Sequence, residues 1–202
     1  MTRRARLAFR MMHLARRMRR DHRGVAAVEF AMIFPIMAML FIGAIEFSQA
    51  LTVDRRVTQS ASSVADLIAR APESGMTATE VDGAMRIIEQ LVAPYDVSRL
   101  TVKIISVRAT ASGGGLTYTV DWSRDSTGGT PYARGSTYTG YLDTSLLDKA
   151  GSTVIIGEAT YNYVPLIFHY FITEAFDLKE EFFLKPRNAS CVILKGVMAT
   201  CA

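Results

Sequence analysis

From Ala31 to Ile45 the chain carries no charged residue, and directly before this apolar run lies its most basic stretch. Residues 1–23 hold nine arginines and one acid, Asp21, and the boundary reads Gly24-Val-Ala-Ala-Val-Glu29-Phe30. A run of this kind is satisfied inside a protein core or in lipid. Taken from Val25 to Phe47 it would form a helix of about 34 Å, against roughly 30 Å of bilayer hydrocarbon. The charge-free core alone falls short and reaches full length only if Val25–Glu29 is included. Pro35 removes a backbone donor and favours a kink or local melting. Nine arginines directly before the segment, against Glu46 and then Asp54-Arg55-Arg56 on its far side, place the N-terminus in the cytoplasm and the rest outside it.

Three readings of this segment compete. One is an uncleaved signal anchor. Another is a secretory signal peptide cut after Ser48-Gln49-Ala50, although its apolar region is long for that class and Glu46 intrudes before the cut. The third is a prepilin-type leader cleaved after Gly24, leaving a retained helix that begins at Val25. Only the third has a use for Glu29. Cleavage makes Glu29 the fifth residue, one turn from a new α-amine. A carboxylate that is unfavourable in hydrocarbon can then be neutralised by that amine or by a neighbour's.

The pattern Gly24-Val-Ala-Ala-Val-Glu29-Phe30-Ala31, then an apolar run with Pro35 and Gly43-Ala-Ile-Glu46-Phe47, resembles the TadE-like family. These are pseudopilin or minor-pilin proteins of tight-adherence (Flp-type) pilus systems. The resemblance covers roughly residues 24–66. The remainder is similar only in layout, with one soluble domain, a Tyr-rich strand and a late cysteine pair. It implies leader processing at Gly24, Val25, Glu29 and Phe30, and helix packing through Glu29, Pro35 and Glu46. The implied partners are a prepilin peptidase, other pilin or pseudopilin subunits, the pilus assembly platform in the inner membrane, and the lipid bilayer.

The formal charge of +4 belongs to the leader. Residues 1–23 carry +8, so the rest, with fourteen basic and eighteen acidic residues, carries −4. The high pI therefore gives no reason to expect nucleic-acid binding, and no later basic patch mixes with aromatics. Leu7, Met11, Leu14 and Met18 could make the leader an amphipathic basic helix, but topogenesis alone accounts for the arginines. Cys191 and Cys201 have nine residues between them. An extracytoplasmic location and an even count favour a disulfide over two free thiols. Such a bridge would span no other element, so its loss is expected to fray only the tail. Zinc is not expected, because His13, His22 and His169 lie far from the pair. Asn188-Ala-Ser190 fits a glycosylation sequon by coincidence.

Past the membrane the helix continues to about Arg70, with a stripe of Val53, Val57, Val64 and Leu67/Ile68; two helices hinged near Glu46 are the alternative. Thr77-Ala-Thr-Glu80 resembles a capping box opening a second helix with Val81, Met85, Ile88 and Val92 on one face. Alternation predicts strands at Leu100–Ile104, Leu116–Trp122 and Val154–Val164, the first two joined by a hairpin at Ser112–Gly115. Arg124–Gly140 reads as a long loop, mobile or used for contact. Thr144–Ala150 suggests a short helix and Phe182-Phe-Leu184 a last edge strand; Leu166–Ile172 is ambiguous. Tyr161, Tyr163, Phe168, Tyr170 and Phe171 are core candidates first, and an exposed contact patch second. The expected fold is α+β: a long N-terminal transmembrane and amphipathic helix, then a small antiparallel-sheet domain with one or two further helices.

Nothing points to catalysis, a metal or a cofactor. Gly113-Gly-Gly115 lacks the helix and lysine of a phosphate loop, His169 has no triad partners, and Glu180-Glu181 reads as solvated surface. The expected organisation is a basic cytoplasmic leader over 1–24, a transmembrane helix over 25–47, its amphipathic continuation over 48–70, and an extracytoplasmic domain over 71–202. The expected protein is a membrane-inserted prepilin-like precursor acting as a minor pilin or pseudopilin. It would sit in a bacterial inner membrane as a single pass, with its C-terminal domain periplasmic or extracellular. The alternative is an uncleaved, signal-anchored binding or scaffold protein.

Overall fold

The computed structural model of the chain describes residues 24–165 and 175–201. The leader stripe, His169, the 166–172 segment, and Phe168, Tyr170 and Phe171 lie outside these. The chain divides into two compact units, Met1–Glu46 and Phe47–Ala202.

Helix α1 spans Val25–Ala69 and runs through Pro35 without interruption, where a kink or melting is expected. In the first unit its large apolar side chains are exposed all round, Phe30, Met32 and Leu40 among them. In the second unit only a stripe of Val53, Val57, Ala61, Val64 and Ile68 is buried, and Leu67 stays outside. Helix α2, Ala78–Glu89, opens on the expected capping box, with Thr77 and Glu80 each satisfying the other's backbone N–H. It buries Val81, Ala84, Met85 and Ile88 and continues as a short 3-10 turn, Gln90–Val92.

Four antiparallel strands follow: β1 Leu100–Ser112, β2 Gly115–Asp125, β3 Thr153–Tyr163 and β4 Phe176–Leu184. Their spatial order is β2-β1-β3-β4. Gly113 and Gly114 form the two-residue turn between β1 and β2, both with positive φ, as a hairpin matched to strand twist requires. The fold is thus the expected α+β arrangement. Its last strand starts six residues earlier than the Phe182 reading.

Alternation gives the sheet two apolar faces, because successive side chains point to opposite sides. Leu100, Val102, Ile104, Trp122, Ile155, Ala159, Tyr161 and Tyr163 share a core with α1 and α2. Ile105, Val107, Ala109, Val120, Val154 and Ile156 face the other way and pack with Tyr138 and Leu147 from the β2–β3 connection. The reading of Arg124–Gly140 as a mobile or contact loop is therefore corrected. With both helices on one face, this connection is the chain that covers the second. It also pairs with the β2 edge, the Val120 N–H donating to Ser136 O at 2.9 Å and the Tyr138 N–H to Tyr118 O at 2.9 Å. Thr144–Ala150 contains only a 3-10 turn, Thr144–Leu146.

Gly157 sets how closely α1 approaches the sheet. A Cβ there would overlap the Ala61 carbonyl oxygen and lie 3.0 Å from Ala65 Cβ and 3.1 Å from Val64 Cγ1. Glycine in β3 above alanines in α1 lets backbone meet backbone.

The C-terminal segment closes the domain. Cys191 and Cys201 are bridged, with Cα atoms 5.7 Å apart. Cys191, Val192, Leu194 and Met198 belong to the helix-side core, and the Trp122 indole N–H donates to Val192 O at 2.7 Å. The same segment caps α1, whose last turn has no basic residue of its own. The Arg187 N–H donates to Ala69 O at 2.8 Å, the Asn188 amide donates to Arg70 O at 2.8 Å, and the Arg187 guanidinium pairs with Asp66. The bridge spans no other element, as expected, but the loop it closes is part of a packed strap, with Val192, Leu194 and Met198 in the helix-side core. Asn188, read as a chance sequon, has a structural use here.

Candidate processing and assembly site

The residues singled out from the sequence do not converge on one cleft. Gly24, Val25, Glu29 and Phe30 are all exposed at the N-terminal end of α1. Glu29 stands one helical turn beyond Val25, and the first turn holds no acid. A cut after Gly24 would leave its carboxylate one turn from the new α-amine. The Phe30 ring packs against Phe34 with centroids 5.7 Å apart. Pro35 is exposed further along. Glu46 is buried, and lies about 25 Å along the helix from Glu29, so the two acids form separate features.

Among the described residues nothing requires Gly24 to be glycine. Its φ is outside the left-handed region, and a Cβ there would meet nothing within 4 Å. Gly157, by contrast, is required by its own fold.

Sequence reasoning missed two groups that organise the domain. Arg56 donates from Nη1 to Leu91 O at 2.8 Å and to Ala93 O at 2.6 Å, and lies over the Tyr95 ring, so it joins α1 to the end of α2. Nothing in the local pattern marks it. Gly157 carried a signal, a lone glycine inside a strongly apolar strand.

Charged groups in the domain are mostly paired. Asp82 of α2 binds Arg124 of β2, and this hydrogen bond holds the Asp82 carboxyl below its usual range. Arg108 and Asp121 face each other across β1 and β2, and buried Glu158 lies between Lys103 and Lys179. The cleft lined by Tyr95, Asp96, Arg99, Tyr161 and Tyr163, about 390 Å³, brings together no nucleophile and base. Among the described residues no group of three His, Cys, Asp or Glu could hold a metal.

α1 is long and apolar enough to cross a bilayer, and its apolar first half is uncovered, unlike the core helix of a soluble protein. These properties support membrane association. No curated protein and no solved structure shows significant similarity to the chain. Residues 24–66 match a family model described as TadE-like protein; this match begins at Gly24, ends inside α1, and suggests a relation to that family.

Proposed function

We propose that the chain is a membrane-inserted prepilin-like precursor that acts as a minor pilin or pseudopilin of a tight-adherence, Flp-type pilus. Residues 1–24 form a basic cytoplasmic leader removed by a prepilin peptidase. Residues 25–47 cross the bacterial inner membrane, 48–70 continue as an amphipathic helix, and the remainder to residue 202 is the extracytoplasmic domain. The mature helix packs laterally with other pilin helices at the assembly platform. A soluble domain of this size suits a minor subunit better than a filament-forming one.

The observation that carries this reading is the start of α1. An apolar helix whose surface the chain leaves uncovered begins at a glycine the fold does not need, and that boundary is where the TadE-like match begins. Glu29 then has a role: its carboxylate accepts the Val25 amine, or a neighbour's, inside a packed helix bundle. Glu29→Ala should ease insertion, since an intramembrane acid is unfavourable by about 2.5–3.5 kcal/mol. It should nevertheless reduce incorporation with partner subunits. Normal piliation and normal co-purification of partners would count against the proposal.

A further inference from the structure

We infer that the notch between α1 and β4 receives Arg55 of a second copy of this chain, in a head-to-tail contact. The inference rests on the membrane reading above only for the common direction of the helices.

α1 turns about 100° per residue, so the side chains near its exit from the apolar segment can be sorted by direction. Val53 and Val57 point into the sheet and are fully buried. Arg56 turns to one flank and is committed to Leu91 and Ala93. Phe47, Leu51 and Asp54 turn to the other flank, and Phe47 and Leu51 are exposed there. Arg55 points directly away from the sheet, exposed, with no ion pair among the described residues.

The Asp54 flank lies towards β4, an edge strand with no further strand beside it among the described residues. On its helix side β4 presents Glu180, opposite Ala159, and half-exposed Phe182, opposite Gly157. The neighbouring acids have cations, Glu158 with Lys103 and Lys179, and Glu181 with Lys179. Glu180 has none among the described residues; it senses instead the negative charge of Asp54. Burial first, and Asp54 second, push its carboxyl above the usual range. The notch therefore combines apolar side chains with two acids that have no ion pair among the described residues, while the crest of the same helix carries an arginine that has none there either.

This complementarity selects the occupant. A two-fold pairing of β4 edges would turn one copy's α1 end for end, which a shared membrane forbids. Crest into notch keeps every α1 pointing the same way. Because the two surfaces differ, the contact is heterologous, and it leaves one crest and one notch free unless the copies close into a ring. Arginine suits the task, since its planar fork can address both carboxylates.

The test is a charge exchange in the full chain reconstituted in lipid vesicles, with self-association read by energy transfer between labelled copies. Arg55→Glu and Glu180→Arg should each weaken association roughly tenfold, and the double variant should recover to within about threefold of wild type. Circular dichroism checks that each variant stays folded. Single reversals that leave association unchanged, a double variant that does not recover, or a wild type that stays monomeric would each overturn the inference. Processing at Gly24 is read independently by the N-terminal residue, so a chain that matures normally but shows no charge rescue sinks this contact and leaves the function proposed above standing.

Discussion

The two halves of α1 both carry apolar side chains, and these live in different surroundings. Near its start Phe30 is 61% exposed and Met32 73%, and beyond Phe47 the stripe residues Val53, Val57, Val64 and Ile68 are 0% exposed. The difference lies in pattern. The first half is apolar on every side, as a lipid-facing helix is. The second alternates its stripe with Asp54, Arg56, Gln59 and Asp66, and buries only the stripe. Two glycines repeat the contrast: Gly157 is dictated by the chain's own packing, and Gly24 by nothing within the described residues.

The sharpest way to break this contrast is to change side-chain volume once in the packed domain and once in the exposed half of α1. Gly157→Val drives a branched side chain into the Ala61 backbone and should destabilise the domain by about 3 kcal/mol, enough to lower its melting temperature by several degrees. Leu40→Ala, in the exposed half, should leave domain melting unchanged. Equal effects of the two changes, measured by thermal unfolding in detergent, would erase the distinction.

Next in size is the strap. Replacing both Cys191 and Cys201 by Ser should lower stability by about 2–3 kcal/mol. Because Trp122 donates to Val192 O, the loss should also shift tryptophan emission. A frayed tail with unchanged emission and melting would mean that the strap is independent of the core.

The smallest effects concern two acids whose pH dependences run in opposite directions. The Arg124 hydrogen bond depresses Asp82, so its contribution is present above the ordinary carboxylate value of 3.8 and is lost as pH falls through the lower folded value. Glu180 is raised by burial and by Asp54, so it opposes folding at neutral pH and ceases to do so in acid. Asp82→Asn should lower the melting temperature at pH 7, and by progressively less as the pH falls below 3.8. Glu180→Gln, in dilute micelles, should raise it slightly at pH 7 and change little in acid. Shifts of the same sign at pH 7 would contradict these assignments.

The sequence made most of the scaffold legible where the signal is local. Period-two alternation marks β1 to β3, the Thr77–Glu80 box marks the start of α2, and paired glycines mark the hairpin. What it did not reveal depends on residues far apart. α1 is capped by Arg187 and Asn188, more than a hundred positions away, because its own last turn supplies neither glycine nor a basic side chain. β4 was read short because Glu180-Glu181 looked solvated; the two point to opposite faces, Glu181 to Lys179 and Glu180 towards α1. The second face of the sheet needed a cover, and composition alone did not assign that task to a Gly- and Ser-rich connection. At the candidate site, Gly24, Glu29 and Pro35 were legible as a pattern at a polar-to-apolar boundary, whereas the notch beside β4 arises only when α1 is laid on the sheet.

The proposed function requires that the chain be made with a leader and mature at the boundary where α1 begins. N-terminal sequencing of the protein purified from membranes, beside a Gly24→Val variant, tests it most directly. The account predicts a wild type that starts at Val25 and a variant that stays inserted with its leader intact. A wild type that retains residues 1–24 or begins at Leu51, or a Gly24→Val chain that matures to the wild-type size, would contradict it.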